Sequence, residues 1–265
     1  VSSTNPSWDP SVYLAFGDER QRPALDLVAR IPHPAPKLVV DLGCGTGSAL
    51  RALAARFPGA ELLGVDGSPE MLQKVPGGIA TQCADIAAWA PAAARPDVIF
   101  SNAALQWLPD HAALFPHLLG LLAPGGWLAV QMPAMHAAPL RALQPVVAAT
   151  GPWAARLAGV ASAPDILEPG GYYELLAPRA AALELWVTEY VHVLRRQPGD
   201  GRHPAVQWAM GTSLRPYMDR LADDPALCEA FLAAYEDALV PYYPPQSDGA
   251  VLLPFRRQFI LTKAA

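Results

Sequence analysis

Charge is scarce in this sequence, and what there is leans acidic. Asp, Glu, Lys and Arg make up 16% of 265 residues, and the formal net charge is −5. A general nucleic-acid binder carries a basic surplus or stripe. None is visible, so DNA and RNA are not expected partners. Cysteine is nearly absent as well. Cys44, Cys83 and Cys228 are odd in number and form no CxxC pair, which argues against a disulfide framework and a zinc site and fits a reducing cytoplasm. No run approaches the roughly 18 to 20 uninterrupted apolar residues of a membrane span. The first residues, Val1 to Pro6, lack the basic region and apolar stretch of a signal peptide. A cytoplasmic protein without membrane contact is expected. There is no HExxH for a metalloprotease and no Gly-x-Ser-x-Gly elbow for a hydrolase. His111 and His117, two turns apart on one expected helix, read as surface positions and not as metal ligands.

What the chain does have is apolar material, 52% of its residues, enough for one large packed domain. In the first half, short β-branched runs alternate with amphipathic stretches. Strands are expected at 37–42, 61–66, 81–84, 96–102 and 127–132, and helices at 48–57, 69–74 and 111–122. The last of these helices stops at Pro124-Gly125-Gly126. Continuous rather than alternating apolar strands joined by helical crossovers imply a doubly wound α/β fold with a parallel sheet covered on both faces. Two more strands are expected at 183–194 and 257–262, making seven. Helices at 204–221 and 225–240 lie between them and read as an insertion that forms a lid. The expected organisation is a single domain of residues 1–265. Residues 1–30 form an N-terminal cap segment, 31–134 a cofactor-binding half, and 195–250 the helical lid. No internal repeat is apparent, and the 29 prolines are spread along the chain.

The chemistry concentrates in Asp41-Leu42-Gly43-Cys44-Gly45-Thr46-Gly47, a turn that follows a strand and opens a helix. Glycines there let the backbone turn sharply and a ligand approach main-chain atoms. A dinucleotide fingerprint, GxGxxG, would seat a pyrophosphate. Here the third glycine comes one residue early, and Asp41 stands ahead of the loop. An acid there repels a pyrophosphate but attracts the α-ammonium of an amino acid. Asp66 closes the second strand about 20 residues beyond the loop, where a carboxylate can take both hydroxyls of a ribose. Asp85 follows the third strand, placed to accept from an adenine amino group, with Ile86 beside the base. Asn102 closes the fourth strand next to the switch point where open α/β sheets bind ligands.

With these residues in place, the chain resembles the Rossmann-like class I S-adenosylmethionine-dependent methyltransferases. More narrowly, it is similar to the trans-aconitate 2-methyltransferase family. The closer likeness runs through Trp8-Asp9-Pro10-Ser11-Val12-Tyr13-Leu14, Glu19 to Pro23, Asn102 to His111, Leu114 to Leu118, Val130 to Pro133 and Gly211 to Tyr217. Residues 134–169 match that family less closely. The resemblance implies S-adenosyl-L-methionine as methyl donor and a carboxylate of trans-aconitate, a small polycarboxylate, as acceptor. It implies that Asp41, Gly43, Gly45, Asp66, Ser68, Asp85, Ile86 and Asn102 hold the cofactor. It places Tyr13, Arg22, Gln106 and Trp107 around the acceptor.

Methyl transfer to a carboxylate is an in-line displacement by a group already ionised at neutral pH, with an ordinary pKa of about 4. No catalytic side chain and no metal are expected, only positioning. Carboxylates that are not methylated call for arginine, whose planar fork binds them with two hydrogen bonds. Arg215, flanked by Leu214 and Pro216-Tyr217, is the first expectation for that role, then Arg22, then Arg195-Arg196. Tyr217, Trp107 and Trp208 are expected as apolar walls. Tyr190 and His192 alternate along a strand and could face the pocket, though a structural histidine is the simpler reading. The alternatives are a methyltransferase acting on another small acid or on a neutral oxygen, nitrogen or carbon, a non-catalytic binding module, or an NAD-linked oxidoreductase. Monomer and homodimer remain equally open.

Overall fold

The computed structural model describes residues 17–160, 166–197 and 201–265, so Tyr13 and the motif around Trp8 lie outside the described residues. Seven strands form one sheet in the order β3-β2-β1-β4-β5-β7-β6. They are β1 (Leu38–Leu42), β2 (Glu61–Asp66), β3 (Ala80–Cys83), β4 (Val98–Asn102), β5 (Trp127–Pro133), β6 (Ala180–Leu194) and β7 (Val251–Ala264). β1 pairs in parallel with β2 and β4, β2 with β3, and β4 with β5. β7 runs antiparallel to β5. The mostly parallel α/β sheet is the expected one.

Composition explains which strands lie in the middle. Val39, Val40 and Leu42 of β1 and Val98, Ile99 and Phe100 of β4 have no exposed surface, so both faces of these strands are covered. Strands buried on both sides have no polar face to alternate with. The carboxylate of Asp97 accepts from the amides of Lys37 (2.6 Å) and Leu38 (3.1 Å), tying the start of β4 to the start of β1.

Helices α1 (Gly17–Arg30), α2 (Ser48–Arg56), α3 (Pro69–Leu72), α4 (His111–Leu121) and α7 (Pro169–Leu176) accompany the sheet. Their buried residues include Leu27 and Val28, Leu50 and Leu53, Leu114, Phe115 and Leu118, and Tyr172 and Leu176. Caps set where they begin. Ser68 accepts from the amide of Met71 (3.3 Å) and Asp110 from that of Ala113 (3.2 Å), each filling one of the amide donors a helix start leaves open. α1 and α7 are additions to the elements expected from sequence.

The chain packs as two compact units. One holds Asp18–Pro133, Pro164–Thr188 and Arg257–Ala265 and contains the parallel strands. The other gathers, within the described residues, Ala134–Ala163 and Glu189–Arg256. It carries α5 (Pro139–Ala148), α6 (Ala154–Leu157), α8 (Pro204–Met210), α9 (Arg215–Arg220) and α10 (Pro225–Leu239). It has its own core, in which Trp153, Trp208, Tyr217, Phe231 and Tyr235 pack together. This unit takes more chain than the 195–250 insertion expected, because the residues that follow β5 join it as α5 and α6. Among the described residues no helix is long and apolar enough to cross a membrane.

Candidate active site

The acid–glycine turn leaves the tip of β1 and is fixed by backbone bonds. The amides of Gly43 and Cys44 both donate to the carbonyl of Val65 on β2 (2.8 and 3.1 Å), and that of Gly47 donates to Cys44 (2.9 Å). Gly43, Gly45 and Gly47 have φ of +75°, +54° and +79°, values that residues with a Cβ rarely adopt. Gly43 is also crowded. A Cβ built on it would lie 2.2 Å from the Cβ of Ala104 and 3.7 Å from Cδ1 of Ile86. The residues after β4 and β3 therefore close in on the turn.

Register then decides which side chains share a face. Residues directly opposite in a sheet point the same way, and residues two apart along a strand do too. Asp41 stands opposite Gly64 and Phe100, and Asn102 opposite Gln131. Asp66 and Asn102, each two residues further along, therefore project from the same face as Asp41, at the carboxyl rim of the parallel strands. Asp66 braces the turn. Its carboxylate accepts from the amides of Gly45 (2.8 Å) and Ser68 (2.9 Å). Asp85 caps the amide of Ala87 (2.9 Å) and is exposed, with Ile86 half-buried next to it.

Asp41 is the electrostatic centre. It is 2% exposed. Burial, and secondarily the charge of Asp66, push its carboxyl from 3.8 up to about 8. Its Oδ2 has no hydrogen-bond partner among the described residues, and neither do Oδ1 of Asn102 and Oε1 of Gln106. Three buried acceptors at one rim call for a ligand rich in donors, since an unmatched buried polar atom costs about 1–3 kcal/mol. An ammonium, ribose hydroxyls and an adenine amino group supply such donors, so these residues fit S-adenosylmethionine. Burial, then the charges of Asp41 and Asp66, raise the Cys44 thiol far above its ordinary value. It packs against Gly64, where an added Cβ would lie 2.9 Å from its sulfur, and it is no nucleophile.

Gln106 and Trp107 sit on a 3-10 turn, Leu105–Trp107, just past β4. Gln106 is buried and donates to the carbonyl of Ala103 (2.7 Å). Trp107 is half-buried. Here one expectation is corrected. His111 is not a surface residue but 8% exposed, because α4 begins from Asp110 in the left-handed region (φ +55°), with the ring of His111 against Phe115 and Tyr172. His117 is exposed as expected.

Nε2 of His111 lies 2.9 Å from the carbonyl of Leu105, and Nδ1 lies 2.5 Å from the hydroxyl of Tyr172. A carbonyl can only accept, so Nε2 carries the proton and Nδ1 accepts from the phenol. The couple anchors the turn that bears Gln106 and Trp107. Burial lowers the pKa of His111 and raises that of Tyr172. A histidine with a depressed folded pKa contributes stability above its unfolded value, lost as pH falls through the folded one. The expected result is a melting temperature that declines as pH drops below about 6.5. Tyr172→Phe should cost about 1–3 kcal/mol at neutral pH and weaken that decline, both read by thermal melts.

The arginines expected for the acceptor lie on separate elements, and two of them pair with acids nearby. Arg22 is exposed on α1. Arg215 is about one-third exposed and faces Asp219 on its own helix at 3.0 Å. Arg195 is exposed and pairs with Asp248 (3.1 Å). Tyr217 is 2% exposed and stacks on Phe231 inside the helical unit. His192 is buried and stacks on Trp208 (4.9 Å), so it is a packing residue. Sequence reasoning did not single out Gln131 or Arg257. Both are buried, and the Nη1 of Arg257 is 3.5 Å from Oε1 of Gln131. Among the described residues no cluster of His, Cys, Asp or Glu could hold a metal ion.

A 3-2-1-4-5-7-6 sheet with β7 reversed, an acid–glycine turn at β1 and acids at the next strand tips define a class I methyltransferase. Residues 16–156, more than half of the chain, match the family model of the methyltransferase domain. Relatives named trans-aconitate 2-methyltransferase are 48% identical in Methylobacterium radiotolerans and 48% in Azoarcus sp. strain BH72. Both alignments cover 97% of this chain and 98% of the relative. The chain belongs to the trans-aconitate 2-methyltransferase family. Among solved structures, YcgJ of Bacillus subtilis superposes with a TM-score of 0.59 at 12% identity, covering 92% of this chain and 98% of the other. Phosphoethanolamine N-methyltransferase 2 of Haemonchus contortus, crystallised with phosphomonomethylethanolamine and S-adenosylhomocysteine, gives 0.53 at 15%, covering 92% and 52%. These two share the fold.

Proposed function

We propose that this protein transfers the methyl group of S-adenosylmethionine to a carboxylate of trans-aconitate, giving the monomethyl ester. The observation that carries the reading is Asp41, a buried carboxyl with an unmatched oxygen at the tip of β1, in a chain of this family. When bound, S-adenosylmethionine supplies a methyl group on a sulfonium, open to attack by a weak nucleophile. The chain's part is to hold and orient. Asp41 takes the α-ammonium, and the left-handed turn at Gly43 and Gly45 admits the amino-acid end to main-chain atoms. Asp66 keeps lone pairs for the ribose beyond those its two amides use. Asp85 and Ile86 flank the adenine, and Ser68 fixes the loop after β2. Asn102, Gln106 and Trp107 present the acceptor, with Arg22 as a further position implied by resemblance.

A carboxylate needs no base to attack, so alignment is what the chain contributes. Well-oriented reactants can gain roughly 7–11 kcal/mol of barrier lowering. Labelled cofactor and a panel of trans-aconitate, cis-aconitate, isocitrate and citrate test the reading. A base-labile ester formed fastest from trans-aconitate is expected. Bound cofactor with no ester from any of the four would leave a methyltransferase whose acceptor is not a polycarboxylate.

A further inference from the structure

We infer that Arg257, with Gln131 beside it, receives an acceptor carboxylate that is not methylated. The inference rests on the proposed function and assigns the cation that function requires. Among the Asp, Glu, Lys and Arg of the described residues, two are buried: Asp41 at 2% exposure and Arg257 at 4%. A guanidinium keeps its charge even out of water, because arginine is not deprotonated in proteins, so its position is informative.

Register places it. Asn102 is opposite Gln131, Gln131 is opposite Phe259, and Pro133 is opposite Arg257. Arg257 thus projects from the same sheet face as Gln131, Asn102 and Asp41. Read across the sheet, the row on that face runs Asp66, Asp41, Asn102, Gln131, Arg257, on β2, β1, β4, β5 and β7 in turn. Arg257 is level with Pro133, four residues beyond the level of Asp41, so at about 4.8 Å per strand and about 3.3 Å per residue it stands roughly 20 Å from Asp41, too far to neutralise it. One end of the row is acidic and the other cationic, with amides between. A polyanion is repelled by Asp66 and drawn towards Arg257, which orients it against the sulfonium end of the site.

The local donors suit a carboxylate. Gln131 has no exposed surface, and its Nε2 has no hydrogen-bond partner among the described residues. Its Oε1 faces Nη1 of Arg257 at 3.5 Å. An amide N–H and a guanidinium fork side by side match the two oxygens of one carboxylate.

Steady-state kinetics on trans-aconitate, with S-adenosylhomocysteine binding measured by calorimetry on each protein, test the assignment. Arg257→Gln should raise KM by at least about 30-fold, the scale of breaking a buried charge pair. S-adenosylhomocysteine affinity should stay within about threefold, and Arg257→Lys should recover part of the loss. Gln131→Glu, nearly isosteric, should also raise KM by placing a negative charge where the carboxylate sits. An aconitate analogue with its remote carboxyl amidated should bind the wild type and Arg257→Gln alike. Should Arg257→Gln lose S-adenosylhomocysteine binding, and so its fold, the KM values of Arg257→Lys and Gln131→Glu decide. Unchanged KM in the variants that bind S-adenosylhomocysteine, while the wild type makes the ester, overturns the inference alone. No ester from wild-type protein overturns the functional reading, and the inference with it.

Discussion

Asp41→Asn should make the ligand-free protein more stable while it weakens cofactor binding. The cause is the buried carboxyl, whose pKa rises from 3.8 to about 8 through burial first and Asp66 second. The folded state therefore holds a proton that the unfolded chain releases near pH 4. A group with a raised folded pKa stabilises only at low pH, and that contribution is lost as pH climbs towards 8. Above pH 8 the full cost of the buried charge is on the order of 5 kcal/mol. Asparagine carries no such cost. The melting temperature of the variant minus that of the wild type should grow from pH 5 to pH 8, and a difference flat with pH would contradict the assignment.

Ligand reverses the sign. An arriving ammonium drives Asp41 to ionise, so binding near neutral pH should release close to one proton. Calorimetric enthalpies in buffers of different ionisation heat report that proton directly. In Asp41→Asn the release should vanish, and affinity should fall by about 30-fold or more, the scale of a lost buried charge partner.

The second large effect is expected at Gly43. Gly43→Ala sets two Cβ atoms 2.2 Å apart at a backbone φ of +75°. The Cβ of Ala104 has no rotamer by which to withdraw, so either the β1 turn or the residues after β4 must move. We expect a stability loss of about 2–3 kcal/mol and cofactor binding weakened beyond about 100-fold. Two neighbours calibrate the result. Gly45→Ala meets no atom within 4 Å but keeps φ at +54°, so it should lose only about 1 kcal/mol. Gly59→Ala meets nothing and has no left-handed φ, and it should be close to neutral. Equal effects at all three sites would remove steric closure of the turn as the cause.

The acidic rim at the tips of the parallel strands was largely legible because it is written locally. Asp41 and Asp66 lie at the ends of strands whose apolar runs are nearly continuous, and the glycine turn is contiguous in the chain. Strands β1, β2 and β5 fall within a residue of where the pattern put them. Harder to read were features that depend on distant partners. β7 starts at Val251, six residues before the expected Arg257, because Pro254 interrupts the strand pattern and cannot donate to a ladder. α1 contains Pro23 and α5 contains Pro145, which obscure their helical periods. His111 looked like a solvated helix residue because Tyr172, which buries it, is 61 positions away. Arg257 sits beside Arg256 in sequence, and nothing local says that one is buried and the other exposed. Only antiparallel pairing with β5 separates them.

The order of the strands also bears on how the chain matures. β7 is last in sequence yet lies between β5 and β6. During synthesis the flank of β5 therefore stays open until residues 257–263 have left the ribosome. A chain stalled before residue 257 exposes unpaired amides and carbonyls along Trp127–Pro133, a template for pairing with other chains.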